Sequence, residues 1–262
     1  MDLVTVINQS FAKNAENLIK SYKHYSYNMN CYVYYFGQLS EEIDKLTALS
    51  NVYVMPVNND VEYAHNPRAF YYKTYAIADS LKHTRPEGFI YSDSTNCFVS
   101  KADRLEEDLI DGSMLLPYPY EKLINAYWTT RACLEGIPDS IGAAIMPQYW
   151  AGFQVYRKTD SNIAMLNEMH ECSKQANLLL PDTTVKRPDG ENAKCIEHRQ
   201  DQSILSILIH KYDKHQKYDP YRQQKYGDWQ TFVDFDQSYT PDNSGIRILS
   251  SRESKAGIYR FL

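Results

Sequence analysis

The chain has 262 residues, 43% of them hydrophobic, with 28 lysine and arginine residues against 33 aspartate and glutamate residues. This length supports one sizeable hydrophobic core, and the mixed charge argues against a nucleic-acid-binding or anionic-membrane surface. We expect small-molecule or sugar partners and a cytoplasmic protein without a membrane span, because the chain opens on a strand pattern with no basic region or long apolar stretch.

The first third of the chain alternates between strand and helix patterns. Runs of β-branched and aromatic residues predict strands, and apolar residues at helical spacing predict helices between them. The predicted strands are 2–8, 31–36, 51–55 and 88–91, and the predicted helices are 11–22, 40–49 and 67–82. This alternation predicts an α/β protein built on a parallel sheet.

The second half of the chain is less regular. Its patterns predict strands at 114–117 and 152–156, helices at 120–133, 160–172 and 202–212, and a polar loop at 173–200. A loop of that length is typical of a functional segment rather than a simple connection.

The five cysteines form no disulfide pattern. Their number is odd and no C-x-x-C spacing occurs, which favours free thiols in a reducing compartment. A zinc site built from His170, Cys172, Cys195 and His198 is the weaker alternative, because H-x-C is not a usual zinc-ligand spacing.

Polar turns follow three of the predicted strands. They begin at Asn8, Asn58 and Ser92, and the carboxyl ends of parallel strands are where such sheets bind ligands. No glycine-rich phosphate-binding motif follows any strand, which argues against a dinucleotide-dependent oxidoreductase or a P-loop enzyme. We expect the binding site at this edge.

Asp93, Ser94 and Thr95 follow the predicted strand 88–91. A carboxylate beside hydroxyl groups at a strand end can hold a divalent cation or accept hydrogen bonds from ribose. The same residues also suit an ordinary Asx or Ser/Thr turn that ends the strand. The residues alone leave both interpretations open.

Asp201 opens the predicted helix 202–212 and follows His198 and Arg199. The N-terminus of a helix favours an anion, to which the histidine and the arginine would add donors. Asp201 therefore either caps the helix or lies at the floor of a cleft, where it would take a proton from an incoming hydroxyl.

Two further segments are candidates for the site. Arg68 and Lys73 lie on the helix predicted to begin at Pro67, with Lys73 at the margin of the apolar stripe, either drawn inward toward an anion or extended to solvent. Trp150, Ala151 and Gly152 offer an aromatic face and a glycine at which a ring ligand can approach the backbone, although core packing explains them equally well.

Taken in order, VTVIN, KTYAIADSL, YSDST, AGFQVYRKT and HRQDQSIL resemble the nucleotide-sugar-dependent glycosyltransferases of the GT-A fold, especially small families with a D-S-S-like sequence and an HR-x-DQS motif. The resemblance covers roughly residues 2–215. It implies one GT-A domain over 1–262, with a mixed, mostly parallel central sheet flanked by helices. The implied parts are a nucleotide-binding half (1–100), an acceptor and catalytic half (101–225) and a C-terminal extension (226–262).

The resemblance also implies roles for the candidate residues. Asp201 would be the general base of an inverting transfer, and Trp150, Ala151 and Gly152 would line the sugar and acceptor cleft. The nucleotide-sugar donor would be bound by Asn8, Arg68, Lys73, Asp93, Ser94, Thr95, His198 and Arg199. Asp93 would also be the ligand of a divalent cation, Mn or Mg, but Thr95 stands where the second aspartate of D-x-D belongs, which places metal dependence in doubt.

Two other functions remain open at this point. A degenerate transferase would bind nucleotide sugars or glycans without turnover. A sugar nucleotidyltransferase is less favoured, because the NQSFAKN turn lacks the glycine-rich basic loop that such chemistry uses.

Overall fold

The computed structural model describes residues 1–26, 28–98, 105, 109, 113–115, 119–180, 195–214, 228–229 and 248–250. Its strands are β1 (Asp2–Ile7), β2 (Cys31–Tyr35), β3 (Val52–Pro56), β4 (Phe89–Ser92), β5 (Asn96–Phe98), β6 (Met114–Leu115), β7 (Pro119–Ile124), β8 (Pro147–Tyr149), β9 (Phe153–Tyr156), β10 (Asp228–Trp229) and β11 (Ile248–Ser250). Its helices are α1 (Ala12–Tyr25), α2 (Glu41–Asp44), α3 (Tyr71–Ser80), α4 (Asn125–Trp128), α5 (Arg131–Gly136), α6 (Asp160–Ser173), α7 (Ala176–Leu179) and α8 (Gln200–Lys211).

A six-stranded sheet in the order β3-β2-β1-β4-β9-β6 forms the centre of the molecule. β1 to β4 are parallel to one another, as the alternation of strand and helix patterns predicts. β9 runs antiparallel to both of its neighbours, β4 and β6. The fold is therefore the predicted α/β fold with a mixed, mostly parallel sheet and helices on its flanks.

Helices cover both faces of this sheet. On one face, Leu3 and Ile7 of β1 pack with Leu18 of α1. On the other face, Val4 and Val6 belong to the cluster formed with α3, α6 and α8. Every residue of β1 is buried, because a parallel sheet covered on two sides leaves no face in water.

Two predicted helices differ from the structure. The helix predicted for 67–82 begins only at Tyr71, because Phe70 has a left-handed backbone conformation (φ 58°) that cannot be part of a right-handed α-helix. The helix predicted for 120–133 is wrong over residues 120–124, which belong to β7 and pair with β8, and the remainder of the range contains two short helices, α4 and the start of α5, instead of one continuous helix. Within the loop predicted for 173–200, α7 is helical, and residues 181–194 lie outside the described part of the chain.

The division into a nucleotide-binding half, an acceptor half and a C-terminal extension stays a prediction. Most of the extension, 226–262, lies outside the described residues, apart from β10 and β11. β11 pairs antiparallel with β5 and so forms a small second sheet with β5 and β10.

Candidate functional site

Three charged side chains from three separate elements meet at the carboxyl end of β4. Lys73 lies on the buried side of α3, and its side chain is 6% exposed. Its Nζ lies 3.1 Å from Oδ1 of Asp93, the first residue after β4, and 3.3 Å from Oδ2 of Asp201 on α8. We call Lys73, Asp93 and Asp201 the charge cluster. The sequence predicted each of them separately, and the fold brings them together.

The turn after β4 fixes the position of Asp93. The Asp93 N–H donates to the Gly152 carbonyl at 2.8 Å, and the Asp93 carbonyl accepts from the Asn96 N–H at 3.0 Å. The Asn96 amide also donates to the Ser92 hydroxyl and to the Gly152 carbonyl. The backbone of Asp93 thus makes the strand-ending turn that its sequence suggests, while its carboxylate remains available to Lys73.

Tyr91 is a member of this site that the sequence did not indicate. Its hydroxyl donates to Oδ1 of Asp93 at 2.9 Å, and Lys73 Nζ lies 5.2 Å from the centre of its ring. Tyr91 was predicted only as an apolar strand residue, because nothing in a run such as FIY shows which aromatic hydroxyl will face a carboxylate.

Asp201 lies in the first turn of α8, where a negative charge is favoured by the helix dipole. The helix has Arg199 at its N-cap, and the Arg199 side chain makes no capping hydrogen bond. Oδ2 of Asp201 is buried and accepts no hydrogen bond of good geometry from the described residues, although it lies in the ion pair with Lys73. Asp201 is therefore not the N-cap residue of this helix.

Strained backbone lies at the first residue of α8, which carries Asp201, and directly before α3, which carries Lys73. Gln200, directly before Asp201, has φ 40°, and Phe70, three residues before Lys73, has φ 58°. Non-glycine residues in this region cost about 1–3 kcal/mol and occur preferentially at functional sites. The strain thus lies next to the residues that the site requires.

The electrostatics of the charge cluster follow from two carboxylates that share one ammonium. Burial acts to lower the pKa of Lys73, but Asp201 and Asp93 outweigh it and raise that pKa, so Lys73 is an ammonium ion at neutral pH. Burial raises the pKa of Asp201, and Asp93 adds to this rise while Lys73 opposes it. Asp201 is accordingly a better proton acceptor than an ordinary aspartate.

His198 is tied to the backbone through both ring nitrogens. Its Nδ1 accepts from the Thr130 N–H at 3.2 Å, and its Nε2 donates to the Leu178 carbonyl at 3.0 Å. Burial lowers the pKa of His198 to about 4, so the ring is neutral near pH 7. The expected positive donor is in this structure a neutral side chain that joins α7, α5 and the start of α8.

Arg199 stacks on an aromatic ring. Its guanidinium carbon lies 4.5 Å from the centre of the Trp128 ring, and its buried Nε has no hydrogen-bond partner among the described residues. The backbone N–H of Arg199 also donates to the Trp128 carbonyl at 3.2 Å. Arg199 therefore places a cation at the N-terminus of α8, near Asp201, and contacts Trp128 of α4.

The remaining predicted donor-binding residues lie in turns. Asn8 follows β1 and caps a short 3₁₀ helix by accepting from the Ser10 N–H at 3.0 Å. Arg68 is exposed and precedes α3, instead of lying on it as predicted. Ser94 is buried and Thr95 half-buried in the turn that carries Asp93.

Trp150, Ala151 and Gly152 lie directly before β9, beside the turn of Asp93. A Cβ on Gly152 would lie 2.6 Å from Nε1 of Trp150, so the ring that approaches this glycine is the indole of Trp150. Ala151 is buried. The segment packs on itself, and the half-buried Trp150 packs against the hydrophobic cluster formed by β1 and α1.

A network of amides that the sequence did not reveal holds the start of α8. The Gln202 amide donates to Oε1 of Gln148 at 2.7 Å, and the Gln148 amide donates to the Ser203 hydroxyl at 3.2 Å. Gln148 on β8 is fully buried. The DQS motif pointed to Gln202 and Ser203, but no signal marked Gln148, because its partner lies 54 residues further along the chain.

The described residues fit a divalent cation poorly. They contain no group of three or more histidine, cysteine or acidic side chains arranged to hold a metal ion. At Asp93, Lys73 and Tyr91 already engage Oδ1. The five cysteines are buried and free of disulfides.

No protein-family model matches the chain, and no curated protein matches its sequence. Solved structures do share its fold. The apo structure of the bifunctional glycosyltransferase WbbM superposes with a TM-score of 0.50 at 11% identity over 87% of this chain, which spans 40% of WbbM. An active-site mutant of LgtC gives a TM-score of 0.50 at 15% identity, over 96% of this chain and 87% of LgtC. The apo form of mouse xyloside xylosyltransferase 1 gives a TM-score of 0.50 at 9% identity, over 98% of this chain and 99% of the xylosyltransferase chain.

These similarities establish that the chain has an α/β, GT-A-like fold, which these solved glycosyltransferases share. At identities of 9% to 15% they show the fold alone and not the reaction. Among the described residues, no helix has the length and apolar character needed to cross a lipid bilayer.

Proposed function

We propose that the protein transfers a sugar from a nucleotide-sugar donor to a hydroxyl group of a glycan or polysaccharide acceptor. The observation that carries the proposal is the charge cluster at the carboxyl edge of the parallel strands, where folds of this kind bind ligands. The fold that the chain shares with solved glycosyltransferases supports the same conclusion.

Asp201 is the proposed general base of an inverting reaction. The acceptor oxygen attacks the anomeric carbon, the bond from that carbon to the phosphate oxygen breaks, and the nucleoside diphosphate leaves with the electron pair. The acceptor proton passes to Asp201, whose pKa is raised by burial and by Asp93. Lys73 keeps the carboxylate in place through the ion pair at 3.3 Å.

Asp93 is the proposed contact to the donor, because it is the outer carboxylate of the cluster, with its side chain 39% exposed. Its turn neighbours Ser94 and Thr95 and the turn residue Asn8 would contribute hydroxyl and amide groups to the ribose and the phosphates. Arg68 and Arg199 would offset the charge of the leaving diphosphate. His198 supports this site indirectly, through its two backbone hydrogen bonds.

Trp150, Ala151 and Gly152 form the proposed wall of the sugar and acceptor cleft. The Gly152 carbonyl is bonded to the Asp93 N–H, so this wall and the donor contact are joined directly. The half-buried indole of Trp150 offers an apolar face of the kind that sugar rings stack on.

The proposal is tested by release of nucleoside diphosphate from a panel of nucleotide sugars, with and without oligosaccharide acceptors. Donor binding is measured in parallel as a rise in melting temperature, which a native-state ligand produces by mass action. Asp201→Asn should lower turnover by ~10²–10⁴-fold and leave the donor-induced rise nearly intact, since general-base catalysis is worth about that factor. Asp93→Asn should weaken donor binding as well as turnover.

The outcomes separate the candidate functions. Tight donor binding without turnover by the unmodified protein would identify a non-catalytic binder. Turnover that survives Asp201→Asn unchanged would remove Asp201 from the role of base.

A further inference from the structure

The buried space between the two carboxylates of the charge cluster already contains a cation. Lys73 Nζ lies 3.1 Å from Oδ1 of Asp93 and 3.3 Å from Oδ2 of Asp201, and Lys73 is 5% exposed. We infer that this ammonium is the resident cation of the site and that the carboxylates of Asp93 and Asp201 bind no divalent metal ion while Lys73 is present. This inference rests on the proposed function only in taking the charge cluster as the reaction site.

The first argument is geometric. Mg²⁺, Mn²⁺ and Ca²⁺ require several oxygen ligands at about 2.0–2.6 Å, and Mg²⁺ requires them in a nearly ideal octahedron. An ion shared by Asp93 and Asp201 would have to enter the position from which Lys73 Nζ reaches both. The side chain that holds this ammonium comes from the first turn of α3 and is buried, which leaves it little freedom to withdraw.

The second argument concerns the ligands that remain. Oδ1 of Asp93 is engaged by Tyr91 as well as by Lys73. Two residues further along, Thr95 supplies a hydroxyl group and not a second carboxylate. No cluster of three or more acidic, histidine or cysteine side chains suited to a metal ion occurs in the part of the chain that the structure describes.

The third argument is the charge of the cluster. The two carboxylates and the Lys73 ammonium together carry a net charge of −1. A divalent ion added to them would reverse this net charge to +1, whereas the ammonium alone offsets part of the negative charge without reversing it. If Lys73 is replaced by a neutral side chain of similar length, two acidic groups are left close together and partly buried. Such a pair has the oxygen ligands that a hard divalent cation prefers.

The inference therefore predicts a gain of metal binding on removal of the ammonium. The unmodified protein and Lys73→Met are titrated with MnCl₂, and bound Mn²⁺ is measured by electron paramagnetic resonance and by the change in melting temperature. The unmodified protein should bind no stoichiometric Mn²⁺, and Lys73→Met should bind one ion per chain. The double variant Lys73→Met with Asp201→Asn should lose that ion.

Lys82→Met serves as the matched control. Lys82 follows α3 closely and pairs with Asp79 at 2.8 Å, but its side chain is 73% exposed. Its removal should create no Mn²⁺ site, because water and not a second buried carboxylate surrounds the position.

The unmodified protein decides the inference even if Lys73→Met does not fold. One Mn²⁺ bound per unmodified chain, and lost in Asp93→Asn, overturns it. Nucleoside diphosphate release is measured separately in EDTA and in MnCl₂, and equal rates are expected. Absence of any release in both buffers would count against the proposed function, whereas the Mn²⁺ titration would still judge the role of Lys73.

Discussion

Replacement of Lys73 by methionine should destabilise the protein strongly at neutral pH. The change removes the cation that lies within 3.3 Å of both carboxylates and keeps a side chain of similar length. Breaking a buried ion pair by removing one partner costs about 3–5 kcal/mol, because the other charge is left buried without compensation. We expect the lower end, about 3 kcal/mol, because the Asp93 side chain is 39% exposed and water stabilises it, whereas the Asp201 side chain is 6% exposed.

The stability lost in Lys73→Met should depend on pH, in a direction that follows from the pKa shift of Asp201. The pKa of Asp201 is raised in the folded protein, so between its unfolded and folded pKa values the native state binds more protons than the unfolded state. Stability therefore falls as pH rises through that window. Lys73 opposes the rise in the pKa of Asp201, so without Lys73 this pH window extends to higher pH. The loss of stability in Lys73→Met should therefore become smaller as the pH is lowered toward 5.

Urea unfolding followed by circular dichroism at pH 5 and pH 8, in EDTA, measures both effects. The double variant Lys73→Met with Asp201→Asn should recover most of the lost free energy of unfolding, since no buried charge is left alone. Lys82→Met, which removes an exposed ion pair, should change stability by less than about 1 kcal/mol. Equal urea midpoints for Lys73→Met and the unmodified protein at pH 8 would refute the reasoning.

Substitutions at three other positions have defined outcomes. His198→Ala leaves the Thr130 N–H and the Leu178 carbonyl without their hydrogen-bond partner and should lower the free energy of urea unfolding by about 1–3 kcal/mol. The pH profile of turnover between pH 6 and 8 should keep its shape, because the ring is already neutral in that range. Gly152→Ala places a Cβ 2.6 Å from Nε1 of Trp150 and should cost about 1–3 kcal/mol and shift tryptophan fluorescence; an unchanged spectrum would contradict the close packing. Gln200→Gly should be more stable than Gln200→Ala by about 1 kcal/mol in thermal unfolding, because only glycine accepts φ 40° without strain, and the reverse order would show that this backbone is relaxed.

The parallel half of the fold was predictable because each of its strands is a short run of β-branched or aromatic residues between helical patterns. The position of Lys73 was partly predictable. Its place at the margin of the apolar stripe allowed an inward side chain, but only the folded structure shows that two carboxylates, one after β4 and one on α8, receive it. Asp93 and Asp201 are 108 residues apart in the sequence, and no local pattern encodes that distance.

Other features depend on tertiary contacts that a sequence pattern does not express. Residues 120–133 have helical spacing, yet β7 forms there because β8 offers a partner for its backbone. The start of α3 depends on the left-handed backbone of Phe70, an unusual conformation for an aromatic residue. The sequence predicts His198 as a donor to an anion beside Asp201, but burial makes His198 neutral and Asp201 less acidic.

The reversed direction of β9 determines which end of that strand reaches the carboxyl edge of β4. Because Ser92 pairs with Phe153, the segment 150–152 before β9 lies at this edge; a parallel strand in the same place would have sent it to the far side of the sheet. One wall of the proposed site would therefore come from the connection between β8 and β9, while Asp93 comes from the connection after β4. Because the Asp93 N–H is bonded to the Gly152 carbonyl, changes in that first connection during evolution would alter both the fit of an incoming molecule and the position of Asp93.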